Sequence, residues 1–386
     1  MSENNMKRLG DYIRPVDVRN RDLKVERLLG ISVTKEFIPS IANTIGTDMS
    51  SYKIVYPNQF VYIADTSRRG DKIAIAYLKE NEEPALVSAI YTVFEVVDTN
   101  ALDPEYLMMW FRRPEFDRYA RFHSHGSARE VFDWEEMCEV QVPVPAIEKQ
   151  REIVAEYNTL ATRIKTNKKL IATLEQTAQT LYRHTFVDNI DLSNLPEGWL
   201  MGTVGDLGRM VSGATPSTTV PDYWCENGIP WISPADLSRT GLKFISRGAK
   251  DITKSGYDSA STWLLPKGSV LFSSRAPIGL MGIVVSELCT NQGFKSIVPN
   301  EKYGFGYVYY CLNSLKDKIA SENTGSTFDE VSGERLKLYE VVLPEEKVTV
   351  EFQNAIEKIF NLQEKKENEN IILDKMISVV LSKICC

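Results

Sequence analysis

The chain has 386 residues, of which 43% are hydrophobic and 25% charged, so it can bury more than one core. Its net charge of −7 argues against an indiscriminate nucleic-acid binder, although local basic surfaces remain compatible with it. The sequence has neither a run of about 18 apolar residues nor the basic and apolar start of a secretory signal. We therefore expect a cytoplasmic protein that makes no membrane contact.

The first segment, residues 1–145, has the pattern of an α+β domain. Short β-type runs surround one helical stretch near residues 106–119. Pro143 and Pro145 then close a strand and exclude helix until just after them. The sequence predicts β-strands at 53–56, 60–63 and 72–77.

Residues 146–187 are predicted to form a long helix, followed by a linker at 188–198 that contains Pro196 and Gly198. Apolar residues in this helix alternate in steps of four and three, the spacing of a coiled-coil seam. The predicted seam consists of Ile153, Tyr157, Leu160, Ile164, Asn167, Ile171, Leu174 and Leu181.

A second β-rich domain is predicted at residues 199–344, with strands near 228–232, 268–273 and 282–285. A second long helix follows at 345–386. Its predicted seam consists of Phe352, Ile356, Ile359, Lys366, Leu373, Ile377 and Val380.

The two halves of the chain repeat one another. Gly126 and Gly325, which occupy similar turns, are 199 positions apart, and so are Pro145 and Pro344 at the strand ends. The heptad register of the helices has the same offset. Residues 9–12 also resemble residues 204–207, so each half runs from a globular segment into a helix.

Apolar seams are costly to leave in water, so we expect the two helices to pair with each other. An antiparallel arrangement would place the polar seam residues Asn167 and Lys366 at the same level. The alternative is that each helix packs on its own globular domain. The predicted fold class is α+β, with two β-rich domains separated by two long helices in an antiparallel coiled coil and a pseudo-twofold internal repeat.

Motifs for catalysis and for cofactor binding are missing. The sequence has no phosphate-binding Gly-x-x-x-x-Gly-Lys-Ser/Thr loop, no Asn-Pro-Pro-Tyr sequence of a base methyltransferase and no His-Glu-x-x-His pair. Its six cysteines form no Cys-x-x-Cys pair, and it has only three histidines. We predict no catalytic residue, no metal site and no cofactor bound by this chain.

Two related domains on a spacer are suited to reading two separated marks on a polymer, such as DNA half-sites about 34 Å apart. Residues 195–199, 212–217 and 228–232 resemble the opening of a target recognition domain in type I restriction-modification specificity subunits. The Thr-Gly-Ser-Thr turn at 324–327 and the long helix after Pro344 resemble the ending of such a domain. The first half has the ending but lacks the opening, as expected if the two domains read different sequences.

The resemblance implies a non-catalytic subunit that binds double-stranded DNA at a bipartite site. It implies two methyltransferase subunits docked near the helix ends, and it allows for restriction subunits as well. S-adenosylmethionine, ATP and Mg would then belong to those partners. Two alternatives stay open: a nuclease or modification enzyme whose active site shows no recognised motif, and a coiled-coil adaptor that binds two proteins.

DNA contact would use forked or bifunctional polar side chains on loops of both domains. For each residue, contact with phosphate or plain solvent exposure is the competing interpretation. The candidates are Ser67, Arg68, Arg69, Lys72, Ser127 and Arg129 in the first domain, and Ser273, Ser274, Arg275, Asn291, Gln292, Lys295, Ser326 and Thr327 in the second.

Overall fold

The computed structural model of the chain describes residues 6–40, 46–66, 72–126, 130–188, 190–275, 277–323 and 330–384. The chain divides into two compact units. Unit 1 is Met1–Ile164 together with Ile372–Cys386, and unit 2 is Lys165–Ile371. Each unit therefore combines one sheet-rich part with portions of both long helices, a grouping that differs from the five consecutive predicted segments. None of the helices in the described ranges is long and apolar enough to cross a membrane.

In its described residues, unit 1 contains ten short strands. They are β1 (Met6–Arg8), β2 (Ile13–Val16), β3 (Leu29–Ile31), β4 (Phe37–Pro39), β5 (Lys53–Val55), β6 (Gln59–Tyr62), β7 (Ile75–Tyr77), β8 (Ala85–Val87), β9 (Thr92–Val96) and β10 (Gln141–Pro143). The main sheet has the antiparallel order β2-β9-β6-β7, while β1 pairs with β10, β3 with β4 and β5 with β8.

The main sheet of unit 1 is buried on both faces, and the alternation of its side chains assigns them to two cores. Phe60 and Tyr62 of β6 face one hydrophobic cluster, while Val61 between them faces the other. In β9, Phe94 faces the first of these clusters and Val93 faces the second. Sheets covered on both faces read as nearly continuous apolar runs, which explains why these strands are visible in the sequence.

The described helices of unit 1 are α1 (Pro104–Phe111), α2 (Pro114–Phe122), α3 (Trp134–Glu139), the first part of α4 (Ile147–Phe186) and the last part of the second long helix, from residue 372 onwards. The single helical stretch predicted near 106–119 is in fact two helices. Pro114 cannot continue the hydrogen bonding of α1, and it occupies the first turn of α2, where its missing N–H has no intrahelical partner to lose.

The part of unit 2 that the structure describes contains eleven strands. They are β11 (Leu200–Thr203), β12 (Gly208–Ser212), β13 (Trp224–Cys225), β14 (Ile229–Ile232), β15 (Phe244–Ile245), β16 (Lys250–Ile252), β17 (Val270–Phe272), β18 (Met281–Val284), β19 (Cys289–Thr290), β20 (Lys295–Pro299) and β21 (Glu340–Leu343). The main sheet has the order β12-β20-β17-β18-β15, a smaller one has the order β13-β16-β14-β19, and β11 pairs with β21.

The helices of unit 2 are α5 (Pro234–Thr240), α6 (Lys254–Ser259), α7 (Gly304–Glu322), α8 (Gly333–Lys337) and the first part of α9 (Glu346–Lys383), together with the last part of α4. Val270 and Phe272 of β17 face a core shared with α7 and both long helices. Leu271 between them faces a second core. The main sheet of unit 2 is thus also covered on both faces.

The sequence repeat is a repeat of structure. Residues 9–11 and 204–207 are both 3₁₀ turns that follow β1 and β11, the partners of the last strands β10 and β21. Asp133 caps α3 by accepting the Glu136 amide, and its counterpart 199 positions later, Ser332, caps α8 by accepting the Arg335 amide. The same short elements therefore lead into each long helix.

In unit 2 the long helices pair in antiparallel fashion. The Asn167 amide donates to Asn370 at 3.0 Å, and Gln363 donates to the Ile171 carbonyl at 3.3 Å. Asn370 lies one helical turn from Lys366, which was expected near the level of Asn167. The Lys366 ammonium lies 2.6 Å from the Glu369 carboxylate of its own helix.

In unit 1 the other ends of the same helices pair in the same sense. Val380 and Ile384 of the C-terminal segment join the core that contains Ile153. At the surface the Lys383 ammonium lies 2.9 Å from the Glu156 carboxylate. None of the predicted seam residues on either helix is exposed.

Each long helix also packs on a sheet-rich part, so the alternative arrangement coexists with helix pairing. In unit 1, buried Gln150 at the start of α4 accepts the Asp103 amide at 2.8 Å and donates to the carbonyls of Ala101 and Pro145. In unit 2, the counterpart residue Thr349 donates to the Lys302 carbonyl at 2.5 Å. The starts of α4 and α9 are thus fixed by equivalent positions.

Unit 2 has an additional connection built from buried charges. The Lys243 ammonium, just before β15, lies 2.7 Å from Glu175 of α4 and 2.9 Å from the Tyr310 hydroxyl of α7. Glu367 of α9 accepts the backbone amides of Lys243 and Phe244, both at 3.2 Å. One lysine thus joins the sheet to both long helices.

The two carboxylates of this network differ in their electrostatics. Burial alone would raise the pKa of Glu175, but the charge and hydrogen bond of Lys243 lower it. Burial raises the pKa of Glu367 to about 6, against the opposing effect of the two backbone amides. Of the two carboxylates, Glu367 therefore has the higher pKa.

Candidate nucleic-acid interface

In unit 2, separate predicted contact segments meet at Ser274. Its amide donates to the Gly293 carbonyl at 2.8 Å, and its carbonyl accepts the Val331 amide at 3.0 Å. The next residue, Arg275, forms a β-bridge with Glu330. The end of β17, the turn before β20 and the segment before α8 therefore lie together, although some sixty residues of sequence separate the first from the last.

Ser273 and Ser274 lie in the interior of the protein at this junction. Both are fully buried. The Ser273 hydroxyl donates to the Pro277 carbonyl and accepts the Leu280 amide, both at 2.7 Å. This burial corrects the prediction that the two hydroxyls reach bases, since they are used to hold the turn that carries Arg275.

Arg275 and Lys295 are the cations at this junction. The Arg275 side chain is 39% exposed and lies 3.6 Å from Glu330, a long contact that leaves guanidinium donors free for another acceptor. Lys295 is half-buried at the start of β20. It lines a surface depression of about 490 Å³ together with Ser212, Glu330, Ser332, Gly333 and Glu334.

Asn291 and Gln292 form the turn between these cations. The Asn291 side chain accepts the Gly293 amide at 2.9 Å and so shapes the turn. The exposed Gln292 accepts the Thr215 hydroxyl at 2.5 Å, which adds Thr215 to the site. Thr215 was absent from the predicted contact residues, although the nearby Gly213 could have indicated a close approach of two chain segments.

Gly213 explains how the segment around Thr215 comes so close. A Cβ atom at this position would lie 2.2 Å from the Thr290 carbonyl oxygen and 2.3 Å from that of Asn291. Only glycine permits this approach. Residues 212–217, which carry part of the family resemblance, are thereby packed against the turn at 290–292.

Unit 1 has a comparable junction in the residues that flank its predicted contact segments. The Thr66 amide donates to the Glu130 carbonyl at 3.0 Å, and its hydroxyl lies 2.9 Å from that of Ser124. His125 and Val131 exchange backbone hydrogen bonds of 3.0 and 2.9 Å. The residues that precede 67–71 and those on either side of 127–129 are therefore neighbours.

Lys72 is exposed at the far side of the same junction. The following residue is fixed by Asp117 of α2, which accepts the Ile73 amide at 3.1 Å and pairs with the buried Lys35 ammonium at 2.5 Å. Burial lowers the pKa of Lys35 despite this ion pair. The chain next to Lys72 is thus held by a buried ion pair.

Seven of the predicted DNA contacts lie outside the described residues. They are Ser67, Arg68, Arg69, Ser127, Arg129, Ser326 and Thr327. Among the described candidates, Lys72, Arg275, Gln292 and Lys295 present polar groups at the two junctions. Within the described ranges no group of His, Cys, Asp and Glu side chains is placed to hold a metal ion.

Comparison with known proteins identifies the second half of the chain. Residues 196–371 match the family described as the type I restriction modification DNA specificity domain. They include α5 to α8, the junction at Ser274 and most of α9. The resemblance stated from residues 195–232 is therefore confirmed by an independent comparison.

Two relatives of the chain are specificity subunits of type I restriction enzymes. The MjaIX specificity subunit of Methanocaldococcus jannaschii is 35% identical over 188 residues, which cover 48% of this chain and 43% of that protein. The HindI specificity subunit of Haemophilus influenzae is 21% identical over 378 residues, covering 76% of this chain and 80% of that protein. The match with the first relative thus spans less than half of that protein's length.

A solved structure has a similar fold. The S subunit of a type I restriction-modification system from M. genitalium aligns over 100% of this chain and 98% of its own, with a TM-score of 0.63 and 13% identity. At that identity the match concerns the fold alone. It agrees with the predicted α+β class of two sheet-rich parts and paired long helices.

Proposed function

We propose that the whole chain is a sequence-specific DNA-binding specificity subunit. Residues 196–371 support this because they match the family of type I restriction modification DNA specificity domains. Unit 1 and unit 2 each read one half of a bipartite site on double-stranded DNA. The chain itself carries out no catalysis and acts in the cytoplasm. It directs two methyltransferase subunits, which use S-adenosylmethionine, and restriction subunits, where present, which use ATP and Mg.

The convergence of separate segments at Ser274 is the observation that carries this proposal. A loop that only connects two elements does not require separate chain segments to meet. Base readout, in contrast, requires several side chains held on one rigid support. The gathered groups include a guanidinium, an ammonium and an amide, which are the donor types that recognise guanine, phosphate and adenine. In unit 1 the residues that flank the predicted segments are neighbours in the same way.

Genome-wide mapping of methylated bases, with and without this gene, tests the function. We expect a bipartite motif whose modification disappears on deletion of the gene and returns with the wild-type gene. Modification that persists without the gene would reject the proposal. Cutting or methylation of DNA by the purified chain alone would instead support an enzyme, and retention of proteins without DNA would support an adaptor.

Arg275 allows a sharper test of base reading. If its guanidinium forks onto a guanine, Arg275→Ala should cost about 1–3 kcal/mol of binding free energy and relax specificity at one base pair. Competition binding against single-base variants of the mapped site measures both. Uniform weakening on every duplex would assign Arg275 to phosphate.

Lys267→Ala is a matched control for this experiment. Lys267 is exposed and lies just before β17, whereas Arg275 follows the end of the same strand. The substitution also removes one positive charge. We expect it to leave the base preference unchanged, so a loss of specificity in both variants would point to net charge rather than to the site.

A further inference from the structure

The end of α2 carries the most exposed of the large hydrophobic side chains that the structure describes. The Phe122 side chain is 82% exposed, although the same helix buries Phe116 and Ala120 on its other face. Single exposed apolar residues are common, so exposure alone assigns no role to it. Its surroundings are more specific.

The Phe122 ring is held in place on one side. It meets the His123 ring edge to face, with the centroids 5.1 Å apart. His123 in turn stacks on Tyr119 at 4.1 Å and lies 3.2 Å from the Glu136 carboxylate of α3. A phenyl ring supported by stacked neighbours loses little conformational entropy when its free face meets a ligand.

Phe122 also lies next to the unit 1 junction. Two residues further on, the Ser124 hydroxyl donates to the Ala120 carbonyl and lies 2.9 Å from the Thr66 hydroxyl. One turn earlier on α2, the Arg118 side chain is 71% exposed, and one of its nitrogens lies 3.1 Å from the Glu115 carboxylate. A guanidinium has five N–H donors, so this contact does not use all of them. Residues four apart share a helix face, so a cation stands beside the ring, as at a surface that follows a phosphate backbone.

The corresponding helix end in unit 2 is different. There α7 ends at Glu322, whose carboxylate accepts the Tyr339 hydroxyl at 2.9 Å and is thereby turned towards its own unit. His123 and Asn323 follow the two helices as their C-caps. An apolar side chain at one helix end and a carboxylate that is hydrogen-bonded to Tyr339 at the other fit two units that read different bases.

We propose that Phe122 is a specificity-determining residue of unit 1, whose ring packs against the 5-methyl group of a thymine in the major groove. The inference deepens the proposed function and rests on it. Thymine is the one base that presents a methyl group at this edge, and apolar side chains are its usual readers. The cation at Arg118 and the adjoining junction at Thr66 and Ser124 favour DNA over a protein as the occupant of this surface.

Deoxyuridine provides the test, since it lacks only the methyl group of thymidine. The full chain, assembled with its methyltransferase subunits, is titrated with duplexes in which each thymine of the mapped site is replaced in turn. We expect one replacement, in the half-site read by unit 1, to weaken wild-type binding about fourfold, the value of one buried methyl-sized group. The Phe122→Ala variant should bind the thymine duplex and the deoxyuridine duplex equally. Both affinities should be about as low as that of the wild type for the deoxyuridine duplex.

Ile90→Ala is the control, because Ile90 is 71% exposed in the same unit but lies between β8 and β9. It should keep the wild-type discrimination, and Phe122→Leu should keep part of it. A Phe122→Ala variant that still discriminates, or a wild type indifferent to every replacement, would overturn the inference. Loss of methyltransferase capture with unchanged discrimination would assign the ring to a protein contact and overturn it too. Failure of the wild type to bind any duplex would reject the proposed function itself.

Discussion

Unit 1 and unit 2 attach their sheets to the long helices with different chemistry. In unit 1 the buried amide of Gln150 makes the contact at the start of α4, and the Arg112 guanidinium donates to the Tyr157 hydroxyl of the same helix at 2.8 Å. Unit 2 uses Thr349 at the equivalent position and adds the charged network of Lys243, Glu175 and Glu367. The internal repeat thus fixes where the elements lie, while each unit has its own means of holding them there.

The largest expected effect comes from removing the lysine of the unit 2 network. Lys243→Met leaves the half-buried Glu175 and the buried Glu367 without their cation, which should lower the free energy of unfolding by about 3 kcal/mol. Calorimetry gives the size of the loss. Hydrogen exchange should localise it to β15 and α7, with the strands of unit 1 keeping their protection.

The exposed Lys267 offers a control, since Lys267→Met removes an equal charge from the surface of the same unit. It should change stability by well under 1 kcal/mol. If Lys243→Met were as mild as this control, the network would not be what holds the sheet of unit 2 to the helices, and the contrast between the units would disappear.

The next effect is a pH dependence confined to unit 2. The pKa of Glu367 rises from 4.5 to about 6 on folding, so its contribution is fully present below pH 4.5 and is lost as the pH rises through 6. At about 1.4 kcal/mol per pKa unit, the loss amounts to about 2 kcal/mol. Glu367→Gln should abolish this decline in unfolding free energy, as measured by denaturant titrations between pH 4 and 8.

Glu175 contributes with the opposite sign, because its pKa is lowered and its stabilisation is lost as the pH falls. The comparison of Glu367→Gln with wild type separates the two. Glu351→Gln, at an exposed position on the same helix, should follow the wild-type curve. Parallel curves for Glu367→Gln and wild type would show that Glu367 does not titrate in this range.

A smaller difference is expected between the equivalent helix starts. Gln150→Ala orphans a buried backbone amide at Asp103 as well as two carbonyls, while Thr349→Ala removes one donor shared by two carbonyls. The Gln150 variant should therefore lose about 1 kcal/mol more unfolding free energy than the Thr349 variant. Equal losses in paired calorimetric scans would mean that the two positions anchor their helices equally.

The smallest effect should come from exchanging both buried amides of the helix pair for leucine. Asn167→Leu alone deprives Asn370 of its partner, whereas the double variant with Asn370→Leu removes both polar groups. The double variant should lie within about 1 kcal/mol of wild type and be more stable than the single variant. A double variant as unstable as the single one would contradict this account of the pair.

The long helices and the repeat could be predicted because their signals are local. Heptad spacing and the prolines before α4 and α9 act within a few residues. The partner of Asn167 could not be predicted in this way. A strict seven-residue spacing selects Lys366, but the sheet of unit 2 covers the adjacent face of α9 and buries Glu367.

The candidate interface was partly predictable for a similar reason. Polar residues after a strand indicate a loop, which placed Arg275 correctly at a junction. The pattern does not distinguish a hydroxyl that holds a turn, such as Ser273, from one that faces solvent. Thr215 joins the site only through a contact 77 residues away, and no local pattern reports such a contact.

Unit 1 is built from two separate stretches of the chain, which affects how it folds during synthesis on the ribosome. Its core includes Val380 and Ile384, which are translated more than two hundred residues after Ile153. Unit 2 is continuous in sequence, whereas unit 1 needs a segment that is translated after all of unit 2. The domain that is made first must therefore be finished last, and until then its unfilled apolar surface is what a chaperone would encounter.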